Sequence, residues 1–149
     1  MRAGWVLLFL LCWAPALHAL EVQVGSSFII SGVTRPAGQV ELPLQRGQYA
    51  NVRILSKETY DFVRTCTMPC RQALPVAAPA VSQVRSAASR PGMWIADVLF
   101  GAGWQVTFLV FQKGDEFTLK PPEHFKFLDS GLETSTRQAV VQAVQEETK

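Results

Sequence analysis

The stretch from Trp104 to Lys113 constrains this chain more than any other. Ten residues run without Gly or Pro, and their centre, Phe108-Leu109-Val110-Phe111, is apolar at every position. Successive side chains of a strand point to opposite faces, so a strand apolar on both belongs inside a sheet or between two layers. Gly101-Ala102-Gly103 precedes it and Gly114-Asp115 follows. The second pair fits a two-residue type II′ hairpin turn, in which the first turn position takes a positive φ. The reading is therefore a strand from Met93 to Phe100, a turn, the Trp104–Lys113 strand, a hairpin, and an antiparallel return from Glu116 to Lys120. Pro121-Pro122 stops that strand, and Phe125 to Leu128 begins another short one. Trp94, Trp104 and most of the phenylalanines crowd into this third of the chain, as a β core requires.

Shorter runs separated by Gly and Pro fill residues 21–66. Strands are expected at Val22–Val24, Phe28–Val33, Gln39–Leu44, Tyr49–Ser56 and Tyr60–Thr65, with turns at Gly25, the 32–38 stretch and Gly47. Val40-Glu41-Leu42 and Val52-Arg53-Ile54 alternate apolar and polar, an antiparallel signature. Residues 67–92 change to Ala, Pro, Ser and Val without an aromatic and read as a connector. Within it, a short helix from Pro79 to Ser89 competes with an extended crossing. The end of the chain reads as a helix over residues 134–149. Ser135 and Gln138 form a capping box there, and Val140, Val141 and Val144 lie along one face. So short a helix is marginal alone, and its valines must pack on the sheet or meet a partner. The expected architecture is mainly β, a single antiparallel β-sandwich or open barrel over residues 20–149 with one C-terminal α-helix.

Residues 1–19 read as a secretory signal peptide: Arg2, an apolar run from Trp5 to Trp13, Pro15, then small residues up to a cleavage point after Ala19. Cys12 leaves with the leader. No later apolar run is long enough to span a bilayer, so no transmembrane segment is expected after cleavage. The address is periplasmic or secreted. Thirteen basic against twelve acidic residues then remain, a net charge of +1. Residues 35–90 are basic and 91–149 acidic, which reads as a dipolar surface. A basic face of Arg46, Arg53, Arg64, Arg71, Arg85 and Arg90 is the alternative. It lacks the interleaved aromatics and recognition helix of a nucleic-acid reader, so no nucleic-acid partner is expected.

Two cysteines remain in Cys66-Thr67-Met68-Pro69-Cys70. In an oxidising compartment an even pair reads first as a disulfide, and closing so short a loop stabilises by about 2 kcal/mol. Two alternatives stand beside it. Cys66, Met68, Cys70 and His124 would make a soft ligand set for Cu(I). A redox-active pair would instead use Cys-x-x-Cys at a helix N-terminus.

Catalytic chemistry is sparse. With His18 removed in the leader, any histidine-dependent mechanism must run through His124, which sits between strands as turn residues usually do. The Gly101/Gly103 pair opens like a dinucleotide loop, but Val106 stands at the third glycine position and a strand follows. Asp97, Asp115, Glu116 and Glu123 are the acids available to a paired-carboxylate hydrolase. The chain is accordingly read as a noncatalytic binding or assembly module of the bacterial cell envelope, with no cofactor. Its partner would be another envelope or extracellular protein. The candidate contacts are a sheet edge, the 67–92 connector, Trp104 beside its glycine turn, and the terminal helix through Val140, Val141 and Val144.

Overall fold

Strands with apolar residues in phase on one face need a second such face to bury them, and this chain supplies two sheets that meet in that way. The computed structural model describes residues 18–43, 51–73, 78–101 and 103–149. In chain order the elements are β1 (Leu20–Val24), β2 (Phe28–Val33), β3 (Val52–Ile54), α1 (Lys57–Thr65), β4 (Cys70–Gln72), β5 (Ala80–Ser86), β6 (Met93–Phe100), β7 (Trp104–Lys113), β8 (Glu116–Lys120), β9 (Phe125–Phe127) and α2 (Ser130–Glu147). A 3-10 turn covers Pro36–Gly38. One sheet has the order β4-β1-β2-β9; the other runs β3-β7-β6-β5, with β8 also paired to β7. β3 pairs with the first residues of β7 and β8 with its last, so both lie on the side of β7 away from β6.

The core lies between the sheets. Val22, Phe28, Ile30 and Phe125 from the first sheet meet Val98, Phe100, Trp104, Val106, Phe108 and Val110 from the second. Phe28 stands 5.2 Å from Phe100 and Phe108 5.6 Å from Phe125, ring centre to ring centre. These tilted and edge-on pairs contribute beyond the area they bury. The alternation of β6 and β7 sends Met93, Ile95, Leu109 and Phe111 to the other face of their sheet, where with Ala87 they form a second, smaller apolar cluster. That is the two-faced apolarity of β7 seen in the sequence.

The strands from Met93 to Lys120 fall where the pattern puts them, and Gly114 takes φ 62° at the β7–β8 turn. Ala102 of the glycine turn lies outside the described residues. Upstream the sequence reading needs correction. Tyr60–Thr65 is not a strand: it belongs to α1, whose N-cap Ser56 accepts the Thr59 N–H (3.2 Å) and whose Thr59 and Val63 face inward one turn apart. The run expected from Tyr49 to Ser56 contributes only Val52–Ile54, Tyr49 and Ala50 lying outside the described residues. The one expected from Gln39 to Leu44 contributes a single bridge, Glu41 to Thr34, with Leu44 and Gly47 undescribed.

The 67–92 connector is also corrected. It contains β4, which pairs parallel to β1, and the seven-residue β5, antiparallel to β6. A register shift between Val81 and Gln83 turns both Val81 and Val84 onto the core face, although they stand three positions apart. One extra residue in a strand resets its alternation, which is why period two is missing from the sequence here. No helix forms over 79–89.

The C-terminal helix starts at Ser130, four residues before the expected point, because Asp129 Oδ1 accepts the N–H groups of Gly131 (2.8 Å) and Leu132 (3.3 Å). Leu132, Thr136, Val140 and Val144 repeat every fourth residue and are buried in the main core. The helix packs on β5 and β6 with β9 beside it, so it fills the part of the second layer that the four-stranded sheet leaves open.

Candidate functional site

A sheet that does not close leaves strands with unpaired backbone groups, and here β3 is the end of its row. Its pairing register decides which groups are free. The Asn51 carbonyl accepts the Thr107 N–H (2.9 Å) and the Leu55 N–H donates to Gly103 O (2.6 Å). Arg53 lies opposite Gln105 between them. Antiparallel strands alternate hydrogen-bonded and non-bonded pairs, so residues 51, 53 and 55 face β7, and the N–H and C=O of Val52 and Ile54 point away from it. Among the described residues nothing pairs with those four groups.

Beside this edge runs a groove of about 550 Å³ lined by Val40, Leu42, Val52, Ile54, Leu55 and Tyr60, with Glu41, Asn51 and Arg53 at its rims. Tyr60 fixes one bank, its hydroxyl oxygen accepting the Val40 N–H (3.2 Å). Leu55 is 55% exposed, the apolar ridge between this groove and a smaller depression lined by Leu99, Phe100 and Trp104. Neither Glu41 nor Arg53 enters an ion pair among the described residues. A free edge above an apolar trough with charged rims is how sheets receive an added strand.

The edge is backed by a buried polar chain. Trp104 Nε1 donates to Gln72 Oε1 (2.9 Å) and Gln72 Nε2 donates to Thr59 Oγ1 (3.1 Å), tying β7, β4 and α1 together. At the C-terminus of α1 the Arg35 guanidinium reaches the carbonyls of Arg64 (3.2 Å) and Cys66 (2.8 Å), closing off orphan acceptors of the helix. Gly103 adopts φ 79°, and any side chain there would run into Ser56. On the other face of the second sheet, Asp97 Oδ2 accepts from Arg85 (2.9 Å) and Oδ1 from the Thr107 hydroxyl (2.6 Å). Thr107 Oγ1 also lies 2.9 Å from the Asn51 side chain. A hydroxyl has one proton to give and the nearer carboxylate takes it, so the Asn51 amide is turned to present its nitrogen, in place of Oδ1, as the donor.

The residues singled out from sequence divide clearly. Cys66 and Cys70 form the disulfide, with Cα atoms 5.5 Å apart. It sits where α1 ends, and the dipole at a helix C-terminus opposes a thiolate, unlike the N-terminal placement of redox pairs. The copper set is not assembled: Met68 is 61% exposed, and among the described residues no three His, Cys, Asp or Glu side chains gather as ligands. His124 is half-buried with Ser31 Oγ 3.5 Å from Nδ1, a contact the sequence did not suggest. Gly32, at φ 72°, leaves it room, since a Cβ there would come within 2.9 Å of that nitrogen. Of the four candidate acids, Asp97 is buried and committed to Arg85 and Thr107, while Asp115, Glu116 and Glu123 are exposed.

Two docking candidates are corrected. Trp104 is fully buried with its indole N–H satisfied, and Val140 and Val144 are fully buried under α2, which leaves Val141 half-buried at the margin. These side chains belong to the core because the helix completes it. Arg64 and Arg85 are engaged with Asp61 and Asp97, and Arg46 lies outside the described residues, as do residues 1–17. No known protein family, curated protein or solved structure matches this chain.

Proposed function

We propose that this chain is a noncatalytic exported binding module that takes up an extended polypeptide segment by strand addition at the edge of β3. The observation that carries this reading is the pair of outward-facing peptide units at Val52 and Ile54 beside the apolar groove of Val40, Leu42, Leu55 and Tyr60. Main-chain hydrogen bonds supply affinity in such recognition, and pockets for alternate side chains supply selectivity. The favoured ligand is therefore a short strand with apolar residues at alternate positions, presented by another envelope or extracellular protein. A second copy is a poor occupant. Antiparallel self-pairing centred on β3 sets Arg53 opposite Arg53, and like charges directly opposed across strands are unfavourable.

Export rests on the apolar leader of the sequence, with β1 beginning at Leu20 and the Cys66–Cys70 disulfide as compatible features. Selection of a displayed library of ten-residue peptides against the purified chain tests the binding reading. The expected winners alternate apolar and polar residues and shift the backbone amide resonances of Val52 and Ile54. Winners without alternation, or shifts confined to other elements, would overturn it.

A further inference from the structure

The second free edge, β5, lies at the opposite end of the same sheet and differs in chemistry from β3. The Ala87 N–H donates to Met93 O (2.9 Å), and Arg85 and Gln83 stand opposite Ile95 and Asp97 in the same register. Alternation then turns the N–H and C=O of Val84 and Ser86 outward, and among the described residues nothing pairs with them. Where β5 meets α2 there is a depression of about 410 Å³ lined by Val81, Val84 and Ala143 together with Ser82, Gln83, Glu146 and Glu147.

Those two glutamates close the last turn of an eighteen-residue helix that has no basic residue there. Carboxylates at a helix C-terminus oppose its dipole, and a cation relieves the conflict. Among the described residues neither has a cationic partner; the Glu146 carboxylate accepts only from Gln142 Nε2 (3.2 Å).

We propose that the β5 edge with the C-terminal turn of α2 is a docking site for an extended basic peptide segment, with Lys or Arg at alternate positions facing the helix. An added strand carries every second side chain onto the face occupied by α2. The aliphatic stem of a lysine or arginine then lies along Val81, Val84 and Ala143 while its head meets Glu146 and Glu147. Arg85 lies on the other face, already held by Asp97, so intervening neutral residues suit that side. A second copy is disfavoured: with Val84 and Ser86 facing outward, antiparallel self-pairing centres on Arg85 and sets Arg85 opposite Arg85, a like-charge pair. This site is independent of β3 and selects the opposite kind of strand.

The test uses the purified chain and a labelled nine-residue peptide alternating lysine and threonine, with binding read by fluorescence anisotropy at low and moderate salt. Glu146→Gln with Glu147→Gln, both exposed, is expected to weaken binding about tenfold. N-methylation of one alternate set of peptide amides is expected to abolish it, and of the other set to leave it intact. Amide shifts should centre on Val84 and Ser86. No binding, equal binding of the glutamate-for-lysine peptide, or indifference to both methylation patterns would overturn the proposal, the last marking non-specific adsorption. Shifts at Val52 and Ile54 instead would overturn this site and leave the β3 reading standing.

Discussion

Replacing Gln72 with Leu tests the buried polar chain that ties the two sheets to α1. Leucine fills nearly the volume of glutamine, so the change removes polar contacts without opening a cavity. Trp104 is fully buried, and its indole N–H would lose the Gln72 oxygen 2.9 Å away. Leaving one buried donor unpaired costs about 1–3 kcal/mol. Thr59 loses the Gln72 donor as well. A loss of about 2 kcal/mol is expected, lowering Tm by roughly 5–10 °C for a domain of this size. The assay is urea denaturation of the parent, Gln72→Leu, Trp104→Phe and the double variant. Trp104→Phe carries its own packing cost, which cancels in the cycle, and the coupling between the two sites is expected at about 1–2 kcal/mol. Strictly additive losses, or a Gln72→Leu protein as stable as the parent, would refute the argument.

Two further outcomes follow from the same packing and charges. Val144→Ala removes two buried carbons beneath α2 and should cost about 2 kcal/mol in denaturation, whereas Gln142→Ala on the exposed face should cost little, within about 0.5 kcal/mol. Asp61 is held below the ordinary aspartate range, chiefly by its hydrogen bond from Lys57; desolvation opposes this, and the charges of Lys57 and Arg64 add to the lowering. Its folded pKa lies below the unfolded one, so its contribution to α1 is present above the unfolded value and fades as pH falls through the folded value. A carboxyl titration followed by NMR should show the low midpoint, and Lys57→Met should raise it.

The sequence was most legible where local and global demands coincide. From Met93 to Lys120, strand pattern and glycine turns point to one answer, and the strands follow them. Tyr60–Thr65 misled because Tyr, Phe, Val and Thr favour strands, while the opposing signals lay just upstream. Those were the cap at Ser56 and the first-turn Glu58, followed by Thr59 and Val63 four residues apart. β5 was hidden by its register shift, and α2 began early because Asp129 caps as well as Ser135 would have. Neither edge site was legible beyond the general expectation of a sheet edge. Which backbone groups are free depends on strand order and register, and those arise from contacts distant in the chain. The glutamates at the end of α2 were visible as an electrostatic conflict, but their neighbours on β5 were not.

Residue-resolved amide hydrogen exchange on the unliganded chain tests the free edges most directly. Arg53, whose N–H faces β7, should be protected while Val52 and Ile54 on either side exchange fast, and at β5 Arg85 should be protected between fast Val84 and Ser86. Equal protection across 52–54 and across 84–86 would mean that both edges are already paired, contradicting the account.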